Sequence, residues 1–289
     1  MKKSKDGIWI FLFLLPTIVI FLVFNLYPIL AVLITGFTSW NGFNPPIFNG
    51  IENYIKLITY DDTFLKSIRN LTIWMVIAST VLVGFGVIVA LVLEKKRKGW
   101  KIVRGTFMIP NVIALSAWAI MYRFMFNDNL GLLNNFIRKI GFGEFHVKWF
   151  FQTPAAFIAI TLTWIFFAVY VTLIVLTDLM AIPEELYDVA EIEGASYWQQ
   201  VWHIKFPLIK NAIGTSIILS VVSRIAMFEP IILTSRGGPG NDTYNIPLML
   251  VDGIMNYEYG YANAAATMMI IFGVVVMLII SKTFAMNKD

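Results

Sequence analysis

No charged side chain interrupts the chain between Glu258 and Lys282, and comparable uncharged runs recur along most of its length. A bilayer crossing takes about 20 consecutive apolar residues. Backbone placed in lipid must also satisfy its own hydrogen bonds, which a helix does internally. Hydrophobic residues make up 58% of the chain and charged ones 14%, against roughly a quarter charged in ordinary soluble domains. The expected fold class is therefore an all-α polytopic membrane protein with six transmembrane helices and a polar cytoplasmic loop, formed by one domain over residues 1–289. The spans read as 8–37, 71–93, 105–126, 156–180, 211–233 and 260–281. Pro16 and Pro28 are expected to break or tilt the first, because proline removes a helix hydrogen bond. Lys2, Lys3 and Lys5 ahead of the first apolar run imitate a secretory signal. That run is too long for a signal core and no small-residue cleavage site interrupts it, so it reads as a span that stays.

Lys and Arg placement sets the expected orientation. With a cytoplasmic N-terminus, the cytoplasmic segments hold Lys2, Lys3, Lys5, Lys95, Lys96, Arg97, Lys98, Lys101, Arg104, Lys205, Lys210, Lys282 and Lys288. The external segments hold eight, and Arg224 falls within a span. The bias rests mainly on EKKRKGWKIVR between the second and third spans. Both termini and the stretch 182–208 then face the cytoplasm, in a cell membrane crossed several times.

That stretch, IPEELYDVAEIEGASYWQQVWHIKFPL, is a polar and acidic excursion among apolar runs. Pro183 suits a first helical turn, and Glu184 and Glu185 complement the positive end of the helix dipole. Leu186, Val189, Ala190 and Glu193 then fall on one stripe. Gly194 is placed to end the helix in a left-handed conformation. Ser196 is placed to cap a second helix carrying Trp198, Val201, Trp202 and Lys205, and Pro207 to end it. Two readings apply. An interfacial pair of helices would hold Trp198 and Trp202 at headgroup depth. A protein-docking surface better suits the acids Glu184, Glu185, Asp188, Glu191 and Glu193, since anionic lipid repels them.

The order Asp188-Val189-Ala190, then Gly194, then Ile204-Lys205-Phe206-Pro207 resembles the cytoplasmic coupling loop of ABC-importer permeases, written Glu-Ala-Ala, glycine, Ile-x-Leu-Pro. Asp replaces Glu, Val replaces Ala and Phe replaces Leu, while the spacing holds. Phe37-Thr38-Ser39-Trp40 with Gly50, Asn53, Tyr54 and Asp62 is similar to the region after the first span of sugar-type permeases. Pro110, Trp118, Phe126, Gly131 and Asn134 are similar to the third span and its exit. Leu233-Thr234, Gly237-Gly238-Pro239 and Gly260-Tyr261-Ala262 are similar to the last external loop and the sixth span. Together these identify the chain as resembling the maltose-type carbohydrate-uptake group, and within it the first of two paired permeases.

The resemblance implies a heterodimer with a second permease, two ABC ATPases on the two coupling loops, and an extracytoplasmic binding protein that delivers a sugar. It implies ATPase coupling through Glu184, Glu185, Asp188, Ala190, Glu191, Gly194, Ala195 and Pro207. ATP and Mg would be used by the partner ATPases, with no cofactor, metal or nucleic acid bound by this chain. The chain carries no G-x-x-x-x-G-K-[ST] phosphate cradle and no Cys, so neither a built-in motor nor thiol chemistry is expected. His146 and His203 are far apart, and no histidine-based metal site is expected.

Ionisable groups inside a span mark a pathway or a pair by default. Arg224, followed by Glu229 and Pro230, reads either as half of a structural ion pair or as a lining of the substrate path, with Trp164 and Phe228 able to stack on sugar rings. A guanidinium at that depth would suit an acidic saccharide. Rival classes are a permease of the same family for another solute such as a glycerol phosphate ester, a membrane-embedded transferase, a secondary transporter, and a channel needing no motor. The transferase needs a clustered acid, base or metal set, which the spread acids of 184–193 do not form. The secondary transporter needs two related halves, which the sequence lacks.

Overall fold

The computed structural model describes residues 3–95 and 98–284. Lys2, Lys96, Arg97 and Lys288, four of the charges that set the expected orientation, lie outside the described residues. The chain is almost wholly helical, its only strands among the described residues being Thr38–Ser39 and Ile47–Phe48. Three helices are long and apolar enough to cross a membrane, Gly7–Thr35, Asp62–Glu94 and Tyr259–Thr283. Two bent pairs bring the number to five if each pair is one span.

The first span is not broken. Pro16 lies inside a continuous helix, and Pro28 follows a π-helical turn over Leu22–Leu26 rather than a break. A π turn widens the helix where the proline ring would otherwise meet the carbonyl four residues earlier. The same device recurs at Val201–Lys205 ahead of Pro207, so Pro207 does not end its helix. The chain turns instead at Ile209, where the axis bends by 69° into Lys210–Ile225. The third run is not one rod either. Trp100–Val112 and Leu115–Met125 meet at 99°, because Pro110 ends the first helix in a 3-10 turn and Ile113 is extended. The fourth run divides into Ala155–Leu162 and Val169–Ala181. The fifth stops at Ile225, and Glu229–Ile232 starts anew.

Two compact units result. One comprises the chain to Phe64 together with 249–270. In it the buried Asn53 side chain donates to Gly36 O at 3.0 Å and to Thr38 O at 2.9 Å, closing the loop after the first span. Gly260 lies directly against the Thr38 carbonyl, where no Cβ would fit. Tyr261 donates to Asp61 at 2.6 Å and Asn263 to Thr35 Oγ1 at 2.7 Å. Thr38, Asn53, Gly260 and Tyr261, which carried part of the resemblance, are thus among the residues that tie loop to helix, whereas Thr35, Asp61 and Asn263 were not part of it.

The other unit comprises 65–248 and the end of the chain. Its core joins Trp74, Leu82, Val83 and Ala90 of the second span to Ile160, Val171, Val175 and Leu179 of the fourth. Trp74 stacks on Phe157 with centroids 4.7 Å apart and donates from Nε1 to Thr161 Oγ1 at 3.1 Å. Gly86 sets the approach of the two spans: Thr172 Oγ1 donates to its carbonyl at 3.1 Å, and an added Cβ would stand 2.5 Å from Val171 Cγ1. Gly86→Leu is expected to lower stability by about 1–3 kcal/mol or more through overpacking. Thermal unfolding in detergent, compared with Gly84→Leu at an open position, measures it.

Candidate functional site

The stretch 182–208 folds as two short helices held by local signals. Glu185–Ile192 ends where Gly194 adopts φ +79°. Ala195 N–H donates to Ala190 O at 2.8 Å and Gly194 N–H to Glu191 O at 3.0 Å. These are the two bonds of a Schellman stop, which satisfy carbonyls the helix end would orphan. Ser196 then starts the second helix, its N–H donating to Gln199 Oε1 at 2.7 Å in a capping box. The acids Glu184, Glu185, Asp188, Glu191 and Glu193 are all exposed. So are Leu186 and Val189 of the apolar stripe beside them, and the neighbouring Ile192 is 85% exposed. Gly194 and Pro207 are exposed, and Ala190 and Ala195 are half-buried. The knob therefore presents acids and apolar side chains together on a surface that this chain leaves uncovered.

What anchors the knob escaped the sequence reading. Lys205, counted there as one more cytoplasmic charge, is buried, and its Nζ lies 2.6 Å from Glu94 Oε2 at the end of the second span. Tyr187, on the first loop helix, donates its hydroxyl to the other Glu94 oxygen at 3.4 Å. The Lys205 ammonium also lies 4.9 Å from the Tyr187 ring centroid and 5.1 Å from that of Tyr197. Burial first, and then the Glu94 carboxylate, push the Tyr187 phenol well above its usual value, so it remains a donor. One carboxylate thus gathers both loop helices onto the second span. Its signal was present only as the first charge to end an apolar run.

The second constellation surrounds Arg224. Its guanidinium stacks over the Trp164 ring, 4.2 Å from the centroid. It donates to Ser223 Oγ at 3.2 Å, while the Met227 sulfur lies 3.6 Å away. The ion pair with Glu229 is not formed. Among the described residues the ion pairs are Lys56–Glu52 and Lys205–Glu94. The helix break at Ala226 and the restart at Glu229 place the carboxylate at the head of a new helix. Both residues instead line a cavity of about 290 Å³ with Trp118, Trp164, Phe167 and Tyr170. Trp164 is 5% exposed and its indole N–H has no partner among the described residues, although buried polar groups are nearly always bonded. Phe228 does not line the cavity and packs toward the core. No cluster of metal-binding side chains occurs among the described residues.

Long apolar helices, several broken in mid-course, together with an exposed acidic knob define a membrane protein, and the family its sequence matches is one of permease subunits. The chain belongs to the family of binding-protein-dependent transport system inner membrane components, whose profile matches residues 82–286. It is 30% identical over 292 residues to the probable ABC transporter permease protein YurN of Bacillus subtilis, covering 99% of each chain. It is 25% identical to the trehalose/maltose transport system permease protein MalF of Thermococcus litoralis, covering 100% of this chain and 96% of that protein. In fold it matches a chain of a bacterial ABC transporter involved in the import of the acidic polysaccharide alginate. That match has a TM-score of 0.82 at 21% identity and covers 100% and 99% of the two chains.

Proposed function

We propose that this chain is a permease subunit that imports oligosaccharides, acidic ones among them, by alternating access. A second permease of the same kind would complete the pore, and two ABC ATPases would supply the work from ATP and Mg. An extracytoplasmic binding protein would deliver the sugar, as the family's description suggests. Both termini and the loop 182–208 would face the cytoplasm, with the exposed acids and apolar stripe of the loop seated in an ATPase groove. Six crossings would follow if the divided segment 156–180 also spans the membrane. Closure of the motors would draw the two loops together, and the mid-span breaks would let the helices rock about the cavity.

The observation that carries the acidic-saccharide reading is Arg224 stacked on Trp164 in an aromatic cavity without a carboxylate partner. A stacked guanidinium keeps unpaired donors for an anionic group, and the aromatic walls offer faces to a sugar ring. The relatives support a sugar: the Thermococcus protein is named for trehalose and maltose, and the structural neighbour for alginate. A glycerol phosphate ester shares the anion but makes no use of the walls.

Arg224→Ala is expected to lower uronate-oligosaccharide transport by about 10- to 100-fold, the equivalent of losing one charge-assisted hydrogen bond of about 1.5–3 kcal/mol. Transport of a neutral oligosaccharide should change far less. Saccharide-stimulated ATPase activity of the reconstituted complex measures both. Equal activity of Arg224→Ala and the unaltered chain toward the true substrate would remove Arg224 from the path.

A further inference from the structure

Between the second span and the second loop helix runs an apolar groove of about 670 Å³. One wall follows a single face of the Asp62–Glu94 helix, from Ser79 past Gly84, Ile88 and Val92 to Lys95. The other wall is Tyr197, Trp198, Trp202 and Phe206, continued by Ile213 and Ile217 of the fifth span. The groove has an apolar length and a charged end. Sixteen residues of helix extend about 24 Å, more than the roughly 15 Å of hydrocarbon in one leaflet.

Along the second-span wall, the two hydroxyl groups donate back to their own helix. Ser79 Oγ donates to Met75 O at 2.7 Å, and Thr80 Oγ1 to Val76 O at 2.7 Å. The hydroxyls of the floor therefore have no donor left for a sugar, and up to Lys95 the rest of that wall is apolar. At the loop end, the Lys95 ammonium sits 3.4 Å above the Tyr197 ring centroid. No carboxylate pairs with it among the described residues. Trp198 and Trp202 flank that end, 66% and 63% exposed. Amphipathic indoles of this kind favour the headgroup level of a bilayer, and basic pockets at such a level bind anionic headgroups.

We propose that this groove is a binding site for one anionic phospholipid, its phosphate on Lys95 and an acyl chain along Ile88 and Gly84 toward Ser79. The lipid would come from the leaflet on the side of the coupling loop and would brace the second loop helix against the second span. The site assigns the two tryptophans a role separate from ATPase docking, and it holds for any transported solute.

The test uses the chain purified with its partner subunits and reconstituted in phosphatidylcholine vesicles. These contain a trace of photoactivatable phosphatidylglycerol or, separately, photoactivatable phosphatidylcholine. The anionic probe should label the peptides containing Ser79–Lys95 or Tyr197–Phe206 about fivefold more than the neutral one, the factor one basic residue contributes at an anionic surface. Lys95→Gln should remove that preference. Gly84→Phe should lower labelling by both probes, since an added Cβ at Gly84 meets nothing within 4 Å and the ring would fill the floor. Equal labelling of the unaltered chain by the two probes overturns the proposal, as does unchanged labelling in Gly84→Phe. A photocrosslinker at Ile88 that captures a second polypeptide instead of lipid assigns the groove to a protein and also overturns it.

Discussion

Lys205→Met is expected to lower the stability of the chain by about 3–5 kcal/mol, because it strands the largely buried Glu94 carboxylate without its counter-charge. Transport should fall at least about tenfold with it, since the carboxylate that gathers Tyr187 and Lys205 no longer holds the loop on the second span. The combination Glu94→Leu with Lys205→Met separates these effects. Replacing a whole buried pair by apolar groups is often neutral or stabilising, so the double variant should regain thermal stability. If transport recovers with stability, the pair serves only folding. If stability returns and transport stays low, the charge pair itself orients the loop. Thermal unfolding and ATP-driven uptake in proteoliposomes measure the two quantities side by side.

Gly194→Val is expected to have the second large effect, through the backbone alone. An added Cβ at Gly194 meets nothing within 4 Å, so no clash with a neighbour contributes. The φ of +79° does contribute, because a β-branched residue there is an outlier costing about 1–3 kcal/mol. The Schellman bonds to Ala190 and Glu191 would be given up, and the second helix would leave the first at another angle. Uptake should fall about tenfold while the protein still inserts and the groove-to-core packing of the second span persists. Gly194→Asn is the control, since asparagine tolerates the left-handed conformation, and it should keep most of the activity. Similar uptake by the Val and Asn variants would mean that the angle between the loop helices is immaterial to coupling.

Much of this protein follows from short-range rules. Uncharged runs the length of a bilayer announce a membrane protein whatever they pack against. Gly194 and Ser196 declare a helix stop and a helix start because capping involves residues only a few positions apart. The loop resemblance is local too, and the family match over 82–286 agrees with it. Prolines were less informative. Pro28 reads as a break or a tilt and Pro207 as an end, yet each is preceded by a π turn through which the helix continues. A π turn adds a residue to the helical repeat without a residue type that marks it, so the proline alone does not show whether the helix continues.

What the sequence by itself determined is the solvent this chain folds in, the acidic knob it leaves exposed, and the local geometry of that knob. Tertiary structure alone decided where its buried charges go. Glu94 and Lys205 meet across 111 residues, and Arg224 finds the face of Trp164 instead of Glu229 five positions away. The physical reason is the same in both cases. A charge in a poorly solvated interior takes whichever partner the packed helices bring within reach, and helix packing is set by shape over the whole chain, as where Gly86 admits Val171.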